Sequence, residues 1–293
     1  MDNTLRPESI FACISNGYYH FTAAEKKVSD YVLNHKTGVQ FMSISELADE
    51  CGVAEATISR FCRRLDLQGY NAFKIAIAKA VVEEQGGSVS DLDEEDSTIG
   101  PDDTTTDLAR KLSTAEIAAI NQSLSLVHPE KIKEAVDLLF HAHRVYCMGQ
   151  GGSMLLATGT AHLFGTVSNK FFAVADSHIQ ASTAAVMDKD DVLLFFSYSG
   201  STMDIVELMG LAHAAGAKII LVTRFARSPG AAESDVVLQC GSNEGPFHLA
   251  SVTAQMAQLF IVDLLYHEFV RRDPDSARKA QERIATALAD KHM

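Results

Sequence analysis

The sequence lacks the marks of several protein classes. Its five cysteines, Cys13, Cys51, Cys62, Cys147 and Cys240, are widely spaced and include no CxxC pair. That argues against a disulfide framework or a zinc ribbon and fits a reduced, cytoplasmic setting. The opening stretch MDNTLRPESI shows no basic-then-apolar leader pattern. No apolar run approaches the roughly 20 residues that cross a bilayer, so no membrane partner is expected. The eleven histidines include no HxxxH or HExxH spacing, and the HAH at 141–143 is a lone short-spaced pair. Neither a metal nor a cofactor is therefore expected. A P-loop, GxxxxGK followed by Ser or Thr, is also missing. Positive charge is in deficit, with 38 acidic against 25 basic residues and a net charge of −13. A whole-chain nucleic-acid coat is excluded on that balance. A local basic face is not, because DNA responds to the local field.

Apolar residues make up 47% of the chain, enough for a packed core. Their spacing divides it. Residues 1–82 read as helix throughout. In FTAAEKKVSDYVLNH, Thr22 and Glu25 have capping-box spacing, and Val28, Tyr31 and Val32 follow on one helical face. SISELADECG repeats the pattern with Ser43 and Glu46, and Gly52 stands where the helix would stop. Residues 83–107 are polar, rich in Gly, Ser and Asp, and contain Pro101. They are expected to form a flexible acidic linker. From residue 108 the pattern changes again. HRVYCMG, KFFAVA, DVLLFFS, KIILVT and DVVLQC alternate with helical stretches, and SVTAQMAQLFIVDLLYHEFV follows as a long amphipathic run. Doubly apolar strands alternating with helices predict a five-stranded parallel sheet covered on both faces, a three-layer α/β sandwich over residues 108–293.

Two of the predicted strands end in unusual loops. One reads Gly149-Gln150-Gly151-Gly152-Ser153, the other Ser197-Tyr198-Ser199-Gly200-Ser201-Thr202. Each lies between a strand and a helix. Glycine lets a backbone approach a ligand closely, helix N-termini offer unpaired N–H groups, and hydroxyls add neutral donors. Together they predict an anion site, with phosphate the fitting anion. A single hydroxyl at such a place is more often a helix cap. Two such loops at neighbouring strand ends favour a ligand. Neither is a dinucleotide motif, since GQGGSM has Met154 at the third glycine position.

In the N-terminal part, ISELADECGVAEATISRFCRRLDLQGY reads as helix, tight turn, helix. Leu47, Ala48, Val53, Ile58 and Leu65 form the shared apolar face. Glu55, Ala56, Thr57, Ser59, Arg60, Arg63 and Arg64 are predicted to face outward, where a helix-turn-helix meets DNA. From Arg60 to Lys79 there are five basic residues and one acidic one, so the local charge is positive. A solvated helix face remains the plain alternative for these arginines.

The residues resemble known families. The segment 130–270 is similar to a SIS (sugar isomerase) domain, through the GxGxS pattern of Gly149, Gly151 and Ser153 and the SxSGxT pattern of Ser197, Ser199, Gly200 and Thr202. That resemblance implies a flavodoxin-like sheet, dimerisation, and a phosphosugar held by these hydroxyls and neighbouring amides. With the helical N-terminal stretch and the DSH at residues 176–178, the whole resembles the RpiR family of bacterial transcriptional regulators. It implies a one-component sensor that binds operator DNA through residues 1–82 and a phosphorylated sugar through residues 108–293. Genes of sugar or amino-sugar metabolism would be its targets, and a homodimer or tetramer its assembly. The expected effector contacts are Gly151, Gly152, Ser153, Ser197, Ser199, Gly200, Ser201 and Thr202, with Glu244 and His248 from SNEGPFH. The expected DNA contacts are Glu55, Thr57, Ser59, Arg60, Arg63 and Arg64. The chain departs from the pattern at Ala54, where a capping residue is usual, and at Ala254-Gln255, where relatives carry an arginine-containing stretch. The competing reading is a sugar-phosphate isomerase, for which His178, Glu244 or His248 would supply the base. The attached DNA-reading domain makes catalysis unnecessary.

Overall fold

The computed structural model describes residues 9–84, 100, 102–242 and 251–289. The chain divides into two compact units, with the main break between Leu112 and Ser113.

The first unit is helical. It contains α1 (Ile10–Gly17), a 3-10 turn (Tyr18–His20), α2 (Ala23–Asn34), α3 (Lys36–Val39), α4 (Ile44–Cys51), α5 (Glu55–Arg64) and α6 (Tyr70–Glu84). Both expected capping boxes form. The Thr22 hydroxyl accepts the Glu25 N–H while the Glu25 carboxylate accepts the Thr22 N–H, and Ser43 with Glu46 does the same. Two of the orphan donors at each helix start are thereby satisfied. Gly52 ends α4 in the left-handed region, at φ 60°, ψ 46°. Its N–H donates to Asp49 O and the Val53 N–H to Ala48 O, the paired bonds of a Schellman stop. The core gathers Ile14, Val28, Val32, Leu47, Ile58, Phe61, Phe73 and Ile77, all essentially inaccessible.

The second unit is an α/β sandwich. Its elements are α8 (Pro129–His141), β1 (Arg144–Gly149), α9 (Ser153–Gly165), β2 (Phe171–Ala173), α10 (Ser177–Ala185), β3 (Asp191–Phe196), α11 (Met203–Ala214), β4 (Lys218–Thr223), α12 (Pro229–Ala232), β5 (Val236–Gln239), α13 (Val252–Arg272) and α14 (Pro274–Leu288). The five strands are all parallel, in the order β2-β1-β3-β4-β5. This is the flavodoxin-like order, with the direction of winding reversing between β1 and β3. β3 is buried along its whole length. Val192, Leu194 and Phe196 face the core shared with α8, α9 and α13, while Leu193 and Phe195 face that shared with α10, α11 and α12. Alternation of side chains across a strand thus separates two cores and makes three layers.

One boundary differs from the expectation. Thr105, Thr106 and Asp107, placed in the linker by composition, form the first turn of α7 (Thr105–Leu126). Thr104 and Asp107 close a capping box, with the Asp107 N–H donating to Thr104 Oγ1 and the Thr104 N–H to Asp107 Oδ2. The TTTD spacing carries that signal, but the acidic composition around it masks it. Residues 85–99, the bulk of the expected linker, lie outside the described residues.

None of the described cysteines is held in a disulfide, and all but Cys13 are buried. Burial pushes the thiols of Cys51 and Cys62 up to about 11 and about 12, far from the thiolate state that reacts. No described helix is long and apolar enough to cross a membrane.

Candidate functional sites

The carboxyl edge of the sheet brings the two hydroxyl loops together. Gly149 and Phe196 are register partners at the ends of β1 and β3. The chain therefore leaves the sheet side by side at Gln150 and Ser197, at the topological switch point where open α/β sheets bind ligands.

Each loop is held from behind. In the first, Gly149 cannot be replaced, because a Cβ there would lie 2.8 Å from the Ser153 carbonyl oxygen. Gln180 of α10, fully buried, fixes this loop. Its Nε2 donates to Gly149 O (3.1 Å) and Val174 O (2.7 Å), and its Oε1 accepts from Gln150 Nε2 (2.7 Å). Sequence reasoning missed Gln180. Its position two residues beyond the DSH stretch was the available signal.

In the second loop, Gly200 has φ 60°, and a Cβ would lie 2.1 Å from Ser228 Oγ. Its N–H donates to Ser197 Oγ (3.1 Å) and its carbonyl accepts the Gly230 N–H (2.8 Å). Thr223 Oγ1 donates to Tyr198 O (3.0 Å), as does the Arg224 N–H (3.0 Å). Ser197 is buried and spends its hydroxyl on the Gly200 N–H. The backbone of this loop is thus fixed by the ends of β4 and α12. Ser201 and Thr202 are exposed and Ser199 half-buried, with the Ser201 hydroxyl donating to Ser199 O (2.9 Å) and the Ser199 hydroxyl accepting the Ser201 N–H (3.4 Å).

The two helices that start here, α9 and α11, have no side-chain caps. Thr202 occupies the N-cap position of α11 in extended geometry, yet its hydroxyl makes no cap hydrogen bond, and α9 starts from Gly152. By contrast, Asp176, Ser228, Ser251 and Asp273 cap α10, α12, α13 and α14 with their side chains. Thr202 therefore does not play the bland capping role. The first turn of α9 is tight, with Ser153, Met154 and Leu155 N–H donating to the Gln150, Gly151 and Gly152 carbonyls, and in α11 the Ile205 N–H donates to Thr202 O. Both helix starts still present the partial positive charge that favours an anion. Of the other expected contacts, Gly151, Gly152 and Ser153 open α9 beside this edge. Glu244 and His248 lie outside the described residues. His178 is exposed on α10. Among the described residues no cluster of three metal-ligating side chains occurs.

In the first unit, α4 and α5 form the two helices of the expected motif, joined by Gly52, Val53 and Ala54. Leu47, Ala48 and Ile58 are buried, and Val53 and Leu65 pack partly buried against them. Arg60 and Arg63 are exposed along α5. One assignment needs correction, and two exposed residues have partners within the domain. Thr57 does not face outward. It is 8% exposed and receives a hydrogen bond from Arg60 Nη2 (3.3 Å). Arg64 turns back on its own domain, donating to Glu25 Oε2 (3.1 Å) and to His20 O (2.6 Å), with its guanidinium over the Phe21 ring. Glu55 is exposed, but its carboxylate accepts the Ser45 hydroxyl, which ties the first turn of α5 to α4. Ser59 is half-buried. The exposed residues of α5 are Glu55, Ala56, Arg60, Arg63 and Arg64.

Comparison with known proteins agrees with this division. Residues 9–84 match the helix-turn-helix domain of the rpiR family, and residues 138–268 match the SIS domain. An HTH-type transcriptional regulator of Caldanaerobacter subterraneus is 30% identical over 257 residues, which cover 88% of this chain and 89% of that protein. A second, from Clostridium perfringens, is 30% identical over 94% of this chain and 97% of its own length. Among solved structures, the NanR protein of Vibrio vulnificus complexed with ManNAc-6P superposes with a TM-score of 0.82, at 22% identity, over 96% of this chain and 98% of that one.

Proposed function

This chain belongs to the RpiR family of helix-turn-helix transcriptional regulators, and on that premise we propose that it reads operator DNA through α5 and senses a phosphorylated sugar at the 149–153 and 197–202 loops. The observation that supports the sensing role is the pair of glycine- and serine-rich loops, each opening a helix that has no side-chain cap, set side by side at the switch point of the sheet. Phosphate offers the acceptors that such donors need. The sugar is a candidate amino sugar, since NanR, similar along its whole length, is known with ManNAc-6P. The division of labour is the helical unit for DNA, the stretch before α7 as connection, and the α/β unit for the effector and for self-association as a dimer or tetramer.

An effector acts only if its affinity differs between two arrangements of the protein. Coupling of about 1–3 kcal/mol is typical and sufficient for regulation. The chain is read as a sensor rather than an enzyme. Turnover would need a base beside the sugar carbons, and among the described residues the sequence candidate is His178, exposed on α10.

The test is melting of the full chain against hexose and N-acetylhexosamine 6-phosphates, with the unphosphorylated sugars as controls. A ligand that binds the native state raises stability by RT ln(1 + [L]/Kd). A shift with a phosphosugar and not its parent sugar is expected, and Ser199→Ala should abolish most of it. A shift unchanged in Ser199→Ala overturns the site. Incubating the same compound with the protein and watching for product tests the isomerase reading.

A further inference from the structure

Beyond the two hydroxyl loops, the turn after β5 carries an unexplained feature. Ser242 is one of two described non-glycine residues with positive φ, at 109°. It is 3% exposed, and its hydroxyl has no hydrogen-bond partner. An L-residue stays in that conformation only when its surroundings over-determine it. Three side chains do so here. Gln122 Oε1, on α7, accepts the Ser242 N–H (2.7 Å). Tyr198 Oη (2.9 Å) and Arg224 Nε (3.0 Å) both donate to the Ser242 carbonyl. The preceding residue is gripped as well. Ser123 Oγ accepts the Gly241 N–H (2.8 Å), and a Cβ on Gly241 would lie 2.6 Å from the Ser123 nitrogen.

The corner is therefore built, and its placement is informative. Tyr198 stands between Ser197 and Ser199, inside the second hydroxyl loop, so Ser242 is one hydrogen bond from that loop. Both backbone groups of Ser242 are engaged, which leaves the hydroxyl as its one unused polar group. Glycine would relieve the backbone and remove a buried, unsatisfied oxygen in one step. A serine there destabilises the protein unless something meets its hydroxyl.

We propose that Ser242 is an effector-contact residue, whose hydroxyl hydrogen-bonds a neutral polar group of the sugar, a ring hydroxyl or an acetamido oxygen, while the 149–153 and 197–202 loops hold the phosphate. Gln122, Tyr198 and Arg224 are its positioning residues. The inference rests on the proposed phosphosugar role of this pocket and adds a contact that distinguishes the sugar from its phosphate.

Ser242→Gly is the test, because glycine suits φ 109° and the fold is preserved or improved. Titration calorimetry on the full chain would use the 6-phosphosugar that gives the largest melting shift with the unmodified protein, and inorganic phosphate alone. The expected result is phosphosugar affinity about five- to tenfold weaker, the scale of one neutral hydrogen bond. Inorganic phosphate should bind unchanged and the ligand-free melting temperature should not fall. Unchanged phosphosugar affinity in Ser242→Gly overturns the assignment, and so does an equal loss for inorganic phosphate, which would mean a distorted loop. Failure of the unmodified protein to bind any phosphosugar would instead overturn the pocket's proposed role, and this inference with it.

Discussion

Replacing Gly200 with alanine measures how rigidly the second hydroxyl loop is held. Two costs add. At φ 60° an L-residue sits in the left-handed region, at about 1–2 kcal/mol. The new methyl would also lie 2.1 Å from Ser228 Oγ and 2.7 Å from Ser228 Cβ. Ser228 cannot simply turn away, since its hydroxyl accepts the Ala231 N–H as the cap of α12 (3.3 Å). Loss of a cap costs about 1 kcal/mol, and forcing an extra methyl into a packed site adds about 1–3 kcal/mol. The total is about 3–6 kcal/mol. For a unit of this size, about 2–4 °C is lost per kcal/mol, so the second unit should melt about 10 °C lower. Gly151→Ala is the matched control. Its φ is also left-handed, at 53°, but nothing stands within 4 Å of the added methyl. It should lose the conformational cost alone, about 1–2 kcal/mol. Differential scanning calorimetry on the full chain would read both variants. Equal losses would show that contact with Ser228 is not what reserves position 200 for glycine, and the account of a loop braced from behind would fail.

Arg64→Ala should lower the melting of the first unit by removing its bonds to Glu25 and the His20 carbonyl, while Arg63→Ala should leave that transition in place and weaken operator binding in a gel-shift assay. The reverse pattern would refute the separation of the two arginines into structural and DNA-facing roles. Burial opposes ionisation of Glu25, but the Thr22 backbone and side chain and the Arg64 guanidinium outweigh it and hold the carboxyl below its ordinary 4.5. A depressed folded-state pKa gives stability that is present above the unfolded value and lost as the pH falls through the folded one. Acidification below about pH 4.5 should therefore destabilise the first unit, and Glu25→Gln should flatten that dependence in melts across pH. Ala54→Ser should raise the melting of the first unit by supplying the missing cap of α5, at about 0.5–1 kcal/mol. No gain would mean that the Glu55–Ser45 bond already does that work.

The fold was legible where its causes are local. A capping box spans four residues, so Thr22 with Glu25 and Ser43 with Glu46 are readable in order along the chain. The left-handed stop at Gly52 needs only its own preceding turn. The parallel sheet follows from strands that are apolar on both faces, and β3 is buried at every position. The same locality explains the hydroxyl loops, each a continuous stretch between one strand and one helix. What the sequence did not reveal depends on partners far along the chain. Thr57 lies on the expected outer face, and only the packing of α5 against the core buries it. Arg64 finds Glu25, 39 residues away, so its charge is spent inside the domain. Gln180 binds Gly149 O at a separation of 31 residues, and Ser242 is set by Tyr198 and Gln122 at separations of 44 and 120.

This asymmetry bears on how the pocket works. The two hydroxyl loops are short-range devices, and a helix start of the kind each precedes favours any anion. Selectivity among phosphosugars has to come from groups that meet the neutral part of the ligand, because every member of the class presents the same phosphate. Buried polar groups discriminate strongly when a ligand fails to satisfy them. The long-range contacts, assembled from β3, β4, α7 and the turn after β5, are therefore the part of the site where a choice of sugar can reside. A substitution there should change which phosphosugar binds. One in the 197–202 loop should weaken them all together.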